Sequence, residues 1–318
     1  MLDSFSPFLL FISGSIMLYY GTDFLINNSS LLAKHFNVPS IIVGVTILAF
    51  GTSLPELVVS IKAVYSNHPN LIIGNIIGSN ISNICLVFGI VLLLFNYRIY
   101  NLPNVKKSIY FLIIISTIFS FFIFNYNQLN LIHGLILLFL LCIYLYIIFE
   151  YYFSSEKKQN YLNKNISIVK LFFFIMLGVL LVGFGSDLFL DGAVGLATNW
   201  GVSDAVIGLT IVALGTSIPE LFVSIGSALK KEYEFVVGNV VGSNIINIVL
   251  VGGLTSSINV ISFNSSYFFI SNMILLFVTF LLILLLMKKL LVNRFLGLIF
   301  IVIYFVFLYL NFNINLIS

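Results

Sequence analysis

Ten runs of roughly 18 or more largely apolar residues follow one another along the 318-residue chain. Each run can cross about 30 Å of hydrocarbon as a helix. Only 8% of the residues are charged, against about 25% in soluble domains. Strands are excluded as the spanning elements, because an open sheet leaves its edges unsatisfied in lipid and the runs lack barrel alternation. The sequence therefore predicts an all-α polytopic membrane protein. Its ten predicted transmembrane helices are residues 5–27, 40–64, 71–95, 108–125, 130–150, 168–192, 204–229, 235–260, 267–287 and 293–313.

The lysines and arginines support this count. With ten helices, thirteen of the fourteen basic residues fall on one side of the membrane, and only Lys62 falls on the other. The positive-inside rule makes the first side the cytoplasm, so both termini are predicted to be extracytoplasmic, and the protein to be multi-pass in the plasma membrane. The basic residues lie in short loops rather than on one face, which predicts no nucleic-acid partner. The thirteen are Lys34, Arg98, Lys106, Lys107, Lys157, Lys158, Lys164, Lys170, Lys230, Lys231, Lys288, Lys289 and Arg294.

The sequence matches itself without a gap when the segment 38–89 is aligned with 202–253, and 25 of these 52 positions are identical. Each copy holds five predicted helices. Because five is odd, the second copy enters the membrane in the opposite orientation, which is typical of secondary transporters with a site near mid-membrane. The predicted organisation is a first repeat at 1–150 with its motif at 44–89, a short cytoplasmic loop at 151–167, and a second repeat at 168–318 with its motif at 208–253. A duplication kept only for packing would not explain paired buried glutamates.

The motif "GTSLPE" breaks the second predicted helix and collects oxygen atoms there. Pro55 has no N–H, so the carbonyl of Gly51 loses its helical partner. Thr52 and Glu56 share a helix face, and Ser53 lies close to it. Such a break is tolerated in lipid only where a neighbouring helix, a cavity or an ion satisfies the backbone. The seventh predicted helix repeats the motif with Gly215, Thr216, Ser217, Pro219 and Glu220.

The third and eighth predicted helices add a second set of polar residues, Ser79 with Asn83 and Ser243 with Asn247. Carboxylate, hydroxyl and amide oxygens are hard ligands that suit Ca²⁺ or Na⁺ and not zinc or copper. A carboxylate at mid-membrane is costly unless it is paired or solvated, and no lysine or arginine lies in the core of any predicted span to pair with it. Two glutamates balance one Ca²⁺, whereas the alternative for Glu56 alone is a protonated, hydrogen-bonded acid.

Two further repeat-related pairs have structural interpretations. Asn75 and Asn239 are predicted to form hydrogen bonds between helices. Asp23 and Asp187, near the ends of the first and sixth helices, are predicted to cap a helix or to bond to a neighbouring one.

The motifs "GTSLPE…GNIIGSNISN" and "GTSIPE…GNVVGSNIIN" resemble the alpha repeats of the calcium/cation antiporter superfamily, and most closely those of prokaryotic sodium/calcium exchangers. The resemblance covers both halves of the chain. It implies ten helices in two inverted halves, in agreement with the topology above. It also implies exchange of about three Na⁺ for one Ca²⁺, with the first and sixth helices sliding across the core.

The resemblance implies a set of ion ligands by motif position. Glu56 and Glu220 would be the central carboxylates, and the carbonyls of Ala49 and Ala213 would contribute to flanking sodium sites. The remaining ligands would be Thr52, Ser53, Ser79 and Asn83 in one half-site, and Thr216, Ser217, Ser243 and Asn247 in the other.

One position departs from the pattern, because some prokaryotic members carry an aspartate where this chain has Asn247. Two carboxylates still neutralise Ca²⁺, but three Na⁺ would leave a net charge of +1. The sodium-loaded step is therefore expected to carry charge, and the absence of a third carboxylate argues against proton coupling and a potassium requirement.

The leading prediction is Na⁺/Ca²⁺ antiport in the lipid bilayer by a protein that functions as a monomer. No cofactor is predicted, because Ca²⁺ and Na⁺ are the transported ions. The nearest alternative is Ca²⁺/H⁺ antiport, in which the same two glutamates carry protons. An intramembrane enzyme is disfavoured because no nucleophile–base pair accompanies the glutamates, and a channel would conduct without a counter-ion.

Overall fold

Two helices with sequences dominated by isoleucine, valine, glycine and asparagine lie at the centre of the structure. They are α3 (Pro69–Leu94) and α8 (Tyr233–Ile258), and 83% and 94% of their most apolar windows are buried. The corresponding windows of the peripheral helices α5 (Leu131–Ser154) and α10 (Arg294–Ile317) are 22% buried. Such exposed apolar surface is expected where helices face lipid. The computed structural model describes residues 2–36, 38–95, 106–154, 167–199, 215, 217–287 and 294–317.

Three helices contain internal changes of pitch. In chain order, α2a consists of Ser40–Val43, a π-turn at Gly44–Leu48 and Ala49–Thr52; α3 consists of Pro69–Ser82, a π-turn at Asn83–Phe88 and Gly89–Leu94; and α8 consists of Tyr233–Ile246, a π-turn at Asn247–Val251 and Gly252–Ile258. The other described helices are α1 (Leu2–Phe36), α2b (Leu54–Tyr65), α4 (Lys106–Asn125), α6 (Ile168–Asn199), α7 (Ile218–Leu229) and α9 (Ser265–Met287).

Glycines bring the long helices α1 and α6 into direct backbone contact. A Cβ atom added at Gly14 would lie 2.3 Å from the backbone nitrogen of Phe189, and one at Gly192 would lie 2.3 Å from that of Phe11. Small residues allow this close approach between helices in membranes. The two helices therefore form one layer, which packs against the core through α2a and α7.

Glycines also allow α8 to pack closely against the π-turn of α2a. A Cβ added at Gly238 would lie 2.8 Å from the Cα of Gly44, and one at Gly242 would lie 2.6 Å from the Cα of Val45. Any larger residue at these two positions would separate α8 from α2a. This contact places polar groups of the second half of the chain beside the helix break of the first.

The turns that follow α2b and α7 have the same conformation. Asn67 (φ 58°) and Lys231 (φ 60°) are the described non-glycine residues with positive φ, and they occupy equivalent positions of the two sequence copies. In each turn, a backbone N–H bonds to a carbonyl in the last turn of the preceding helix. His68 donates to the carbonyl of Ala63, and Glu232 donates to that of Ser227. Such left-handed caps end helices sharply.

The described residues contain eight helices that are long and apolar enough to cross a membrane, and the pair α2a and α2b, bent by 42°, makes a ninth candidate span. This confirms the polytopic helical class. The seventh predicted span, 204–229, falls partly outside the described residues, and its described part is the 12-residue helix α7. The ten-helix count therefore remains a prediction.

The prediction that the first helix ends at residue 27 was wrong, because α1 continues to Phe36. The polar residues that suggested an end are accommodated inside the helix. Asn28 donates back to the carbonyl of Phe24 (2.7 Å), and the hydroxyl of Ser30 donates to Glu232 (3.0 Å). The sixth helix likewise runs past its predicted end at 192, to Asn199.

The structure also contains one short sheet that was not predicted. The strands β1 (Gln128–Leu129) and β2 (Ile261–Ser262) pair antiparallel in the loops before α5 and α9. Two residues per strand cannot span a membrane, so the exclusion of spanning strands is unaffected for the described part of the chain.

Candidate cation-binding site

The helix break at Ser53 is the feature that opens the site. Ser53 has φ −84° and ψ 4°, outside helical geometry, and Pro55 lies in the first turn of α2b. The equivalent position, Ser217, has φ −94° and ψ 7°, and Pro219 begins α7 in the same way. Each break places a glutamate in the first turn of the helix that follows, where the N-terminal end of a helix dipole favours negative charge.

Glu56 and Glu220 are fully buried, and three of their four carboxylate oxygens have no hydrogen-bond partner. Both are 0% exposed, and neither carboxylate oxygen of Glu56 has a hydrogen-bond partner. Glu220 Oε1 receives a long contact from the Ser53 hydroxyl (3.5 Å), and its Oε2 has no partner. The two carboxyl groups are close enough for the charge of Glu220 to act on Glu56. A buried carboxylate without partners is strongly unfavourable, so this pair calls for a positive charge or a proton.

No basic side chain of the described residues neutralises these glutamates. Within the described ranges, the one ion pair joins Lys230 to Asp23, away from the helix breaks. The same residues contain no group of three or more histidine, cysteine, aspartate or glutamate side chains that could hold a metal. Among the described residues, the acidic side chains at the two helix breaks are therefore Glu56 and Glu220, and the other predicted ligands described there are neutral.

Predicted neutral ligands from the two halves of the chain contact one another. The Thr52 and Ser243 hydroxyls lie 3.2 Å apart, and Asn247 donates its Nδ2 to the Ser79 hydroxyl at 3.0 Å. Each of these contacts crosses from one sequence repeat to the other. The hydroxyls of Thr52 and Ser243 also lie near the Glu220 carboxylate, but in this conformation its Oε2 accepts no hydrogen bond and its Oε1 accepts from Ser53.

The two asparagines with predicted ligand roles use their amide nitrogens in hydrogen bonds, whereas their amide oxygens have no partner. Asn83 Nδ2 donates to Asn244 Oδ1 (3.5 Å) and Asn247 Nδ2 to Ser79, while both Oδ1 atoms are buried without a partner. The Ser217 hydroxyl is also buried without a partner. An amide oxygen can only accept or bind a cation, so these atoms are suited to hard metal ions.

Both asparagines begin π-turns, Asn83–Phe88 in α3 and Asn247–Val251 in α8. A π-turn inserts an extra residue into a helix and is frequent at functional sites. The sequence analysis did not predict these turns, because no residue in the two segments marks a change of pitch.

Asn75 and Asn239 hold each glutamate helix against its neighbour, which confirms the predicted interhelical hydrogen bonds. Asn75 donates to the carbonyl of Glu56 (3.1 Å) and to the hydroxyl of Ser60 (2.9 Å). Asn239 repeats this with the carbonyl of Glu220 (3.3 Å) and the hydroxyl of Ser224 (3.1 Å). The sequence analysis missed the roles of Ser60 and Ser224, although both stand four residues after a motif glutamate in the two copies.

The structure describes ten of the twelve predicted site residues, all of them buried. Ala213 and Thr216 lie outside the described residues. The carbonyl of Ala49 already accepts the backbone N–H of Ser53 (3.0 Å) and the hydroxyl of Thr52 (3.4 Å) in this conformation. The ten are Ala49, Thr52, Ser53, Glu56, Ser79, Asn83, Ser217, Glu220, Ser243 and Asn247.

The chain is similar to known membrane proteins in both sequence and structure. The family model described as "Sodium/calcium exchanger protein" matches residues 6–150 and 170–313. A structure of the sodium-calcium exchanger NCX_Mj superposes with a TM-score of 0.82 at 33% identity and covers 95% of this chain and 98% of that one. An uncharacterized membrane protein of Methanocaldococcus jannaschii is 39% identical over 240 residues, which are 75% of this chain and 77% of that protein. The sodium/calcium exchanger MaX1 of Methanosarcina acetivorans is 27% identical over 347 aligned positions, covering 96% of this chain and 99% of that protein.

Proposed function

The chain belongs to the sodium/calcium exchanger family, and on that premise we propose that it is an antiporter that exchanges Na⁺ for Ca²⁺ by alternating access. Glu56 and Glu220 bind the ions near mid-membrane and are shared between Ca²⁺ and Na⁺. The other proposed ligands are Thr52, Ser53, Ser79, Asn83 and Ala49 of the first half, and Thr216, Ser217, Ser243, Asn247 and Ala213 of the second.

The observation that carries this proposal is the pair of buried carboxylates with unpartnered oxygens. Glu56 and Glu220 are fully buried, lie beside helix breaks, and have no basic partner among the described residues. Among the other proposed ligands, the oxygens of Asn83, Asn247 and Ser217 also lack hydrogen-bond donors. Ca²⁺ takes six to eight oxygen ligands in flexible geometries, and this donor set is made of oxygen alone.

The charges of the site support exchange of unlike ions. Two carboxylates neutralise one Ca²⁺, and the same two leave a net charge of +1 with three Na⁺. We therefore propose that the membrane potential acts mainly on the sodium-loaded half of the cycle. These ions are substrates, and the proposal requires neither a resident cofactor nor a catalytic step.

The proposed architecture is two inverted halves of five helices, residues 1–150 and 168–318, joined by the short loop 151–167. The gap-free sequence repeat and the distribution of basic residues support it. Both termini then lie outside the plasma membrane. Because the paired layer of α1 and α6 contacts the core at α2a and α7, we propose that this layer slides across a monomer to expose the site to either side.

A second candidate function, Ca²⁺/H⁺ antiport, is favoured by one observation. A carboxylate oxygen without a hydrogen-bond donor, as in Glu56, is also where a proton can reside. The same two glutamates would then alternate between Ca²⁺ and two protons.

Ion flux into proteoliposomes separates the two functions. Vesicles of purified protein are loaded with Na⁺ and diluted into sodium-free buffer with radioactive Ca²⁺. We expect Ca²⁺ uptake that saturates, requires internal Na⁺, and does not start when a pH gradient replaces the sodium gradient. Uptake driven by the pH gradient alone would contradict sodium coupling, and uptake with no counter-ion would indicate a channel.

A further inference from the structure

The amide of Asn239 joins three groups at the boundary between the two halves of the chain. It is fully buried. Its Nδ2 donates to the carbonyl of Glu220 (3.3 Å) and to Ser224 Oγ (3.1 Å), and its Oδ1 accepts from the Thr52 hydroxyl (3.1 Å). A backbone carbonyl can only accept, so the bond to Glu220 fixes which end of the amide is nitrogen.

This assignment determines how the hydroxyl of Thr52 is oriented. A hydroxyl has one proton and two lone pairs. Its nearby acceptors are Asn239 Oδ1 at 3.1 Å, Ser243 Oγ at 3.2 Å and the carbonyl of Ala49 at 3.4 Å. Of these, the Asn239 oxygen is nearest and cannot donate in return. When Thr52 donates to it, both lone pairs of the hydroxyl remain available for Ser243 and for a cation.

We propose that Asn239 is a positioning residue of the cation site, which holds Thr52 as a donor so that its oxygen faces the ion, and at the same time tethers the helix of Glu220. This inference rests on the proposed function. It gives a physical reason for a fully buried asparagine one turn before Ser243. In the first half of the chain Asn75 makes the same tether to Glu56, and the residue equivalent to Thr52 is Thr216, outside the described residues.

A double-mutant cycle tests the inference. Asn239→Leu is expected to raise the KM for Ca²⁺ about tenfold, because one buried hydrogen bond to a ligand is lost. In a Thr52→Val background, where no hydroxyl needs orienting, the same substitution is expected to raise KM much less. An equal increase in both backgrounds would show that Asn239 does not act through Thr52.

Two further measurements keep the result interpretable. Asn272→Leu is the matched control, since Asn272 is also fully buried and bonds across helices to Ser120 (2.9 Å); it should lower thermal stability and leave KM unchanged. If Asn239→Leu does not fold, Asn239→Ala gives the same cycle with a smaller side chain. Calorimetric Ca²⁺ binding to the purified protein repeats the cycle without transport, so failure of sodium coupling and failure of this inference are distinguishable.

A separate observation concerns the end of α7 that contacts α1. Lys230 Nζ lies 2.6 Å from Asp23 Oδ1, 2.9 Å from Asn27 Oδ1 and 3.4 Å from the carbonyl of Asp23. Asn27 also donates to the second oxygen of Asp23 (3.0 Å). These bonds fasten a helix of the proposed mobile layer to the core on one side of the site.

The repeat of the chain duplicates the aspartate of this ion pair but not its lysine. Asp187 on α6 is the repeat equivalent of Asp23, whereas Lys230 aligns with Ser66. Asp187 forms no ion pair with any described residue. Among the described residues, this fastening of α1 therefore has no matching fastening of α6.

We infer that the Lys230–Asp23 pair is a latch, which stabilises this conformation relative to the one in which the layer of α1 and α6 has moved. This inference also rests on the proposed function. A latch acts on the equilibrium between the two conformations, so its loss must change apparent affinity in opposite directions on the two membrane faces. A residue that only supports the fold would change both in the same direction.

The test measures the KM for Ca²⁺ on each face in membrane vesicles of opposite orientation. Lys230→Ala is expected to lower KM on the face of Lys230 and to raise it on the other, so that the ratio of the two KM values changes by up to about fivefold, the range of a partly exposed ion pair. Lys231→Ala, an adjacent exposed lysine with no ion pair to any described residue, should do neither. Changes of the same sign on both faces, or none, would overturn the inference. If the protein exchanges Ca²⁺ for H⁺ instead, the opposed shifts remain measurable with the proton gradient.

Discussion

Glu56→Gln is expected to reduce Ca²⁺ exchange at least about a hundredfold, and Glu220→Gln to do the same. Two unit charges about 4 Å apart near a protein surface interact by about 4 kcal/mol, and a bound divalent ion lies closer and carries twice the charge. Since about 1.4 kcal/mol corresponds to a factor of ten in affinity, neutralising one carboxylate leaves too little binding at ordinary Ca²⁺ concentrations. The change is nearly isosteric, so the loss reports charge rather than packing.

Glu234→Gln is the matched control for these two variants. Glu234 is a half-buried glutamate at the start of α8, where it accepts the backbone N–H of Ile41 (3.2 Å). A glutamine can accept the same bond, so exchange should remain normal. The rate of sodium-dependent Ca²⁺ uptake, normalised to folded protein, is the measurement. Retention of more than about a tenth of the activity in Glu56→Gln would contradict a role for this carboxylate in ion binding.

The residues of the candidate site that could be predicted from the sequence are those that are costly in a membrane helix and occur in both copies of the repeat. A buried glutamate beside a proline is costly in lipid, and a second copy in the other half of the chain makes a packing explanation insufficient. Glu56 and Glu220 could therefore be identified without coordinates. The interhelical bonds of Asn75 and Asn239 were predicted for the same reason, because amides in apolar helices need partners.

The rest of the site depends on geometry that local residue types do not specify. No glycine or proline lies within the π-turns that begin at Asn83 and Asn247, so their residue types did not predict a change of pitch. In the sequence, Ser60 and Ser224 look like ordinary helix residues. Their role becomes visible only in the structure, where the amides of Asn75 and Asn239 contact them. The end of α1 was predicted too early because its polar residues Asn28 and Ser30 find partners only in the folded chain.

The matching amides of the two halves determine how the site handles charge. Asn83 and Asn247 are fully buried, and each has an unpartnered Oδ1. They can therefore supply ligand oxygens without adding charge to the two glutamates. In the proposed exchange of Na⁺ for Ca²⁺, a neutral calcium-loaded state and a positive sodium-loaded state follow from the absence of charge at these two positions.

Asn247→Asp is expected to move the charge-carrying step from the sodium half of the cycle to the calcium half. A third carboxylate makes the site with three Na⁺ neutral and the site with one Ca²⁺ negative. The aspartate keeps the shape of the asparagine. The Ser79 hydroxyl, which now donates to the carbonyl of Asn75 (2.6 Å) and accepts from Asn247 Nδ2 (3.0 Å), has to turn its proton toward the new carboxylate oxygen. Transient currents that follow rapid Na⁺ or Ca²⁺ jumps on adsorbed proteoliposomes, measured at alkaline pH to keep the aspartate ionised, detect the change.

Two comparisons make this result specific to the site. Asn83→Asp, the equivalent change in the first half of the chain, should move the charge in the same way, because the added carboxylate faces the same ions. Asn259→Asp adds the same charge in an exposed loop after α8 and should leave the currents unchanged, since water and salt screen it. A current that stays with the Na⁺ jump in both buried variants would contradict the placement of these amides beside the transported ions. If the current moves to the Ca²⁺ jump in only one of the two buried variants, only that asparagine lies close enough to the ions to act as a ligand. The two halves of the site would then not share the ions equally.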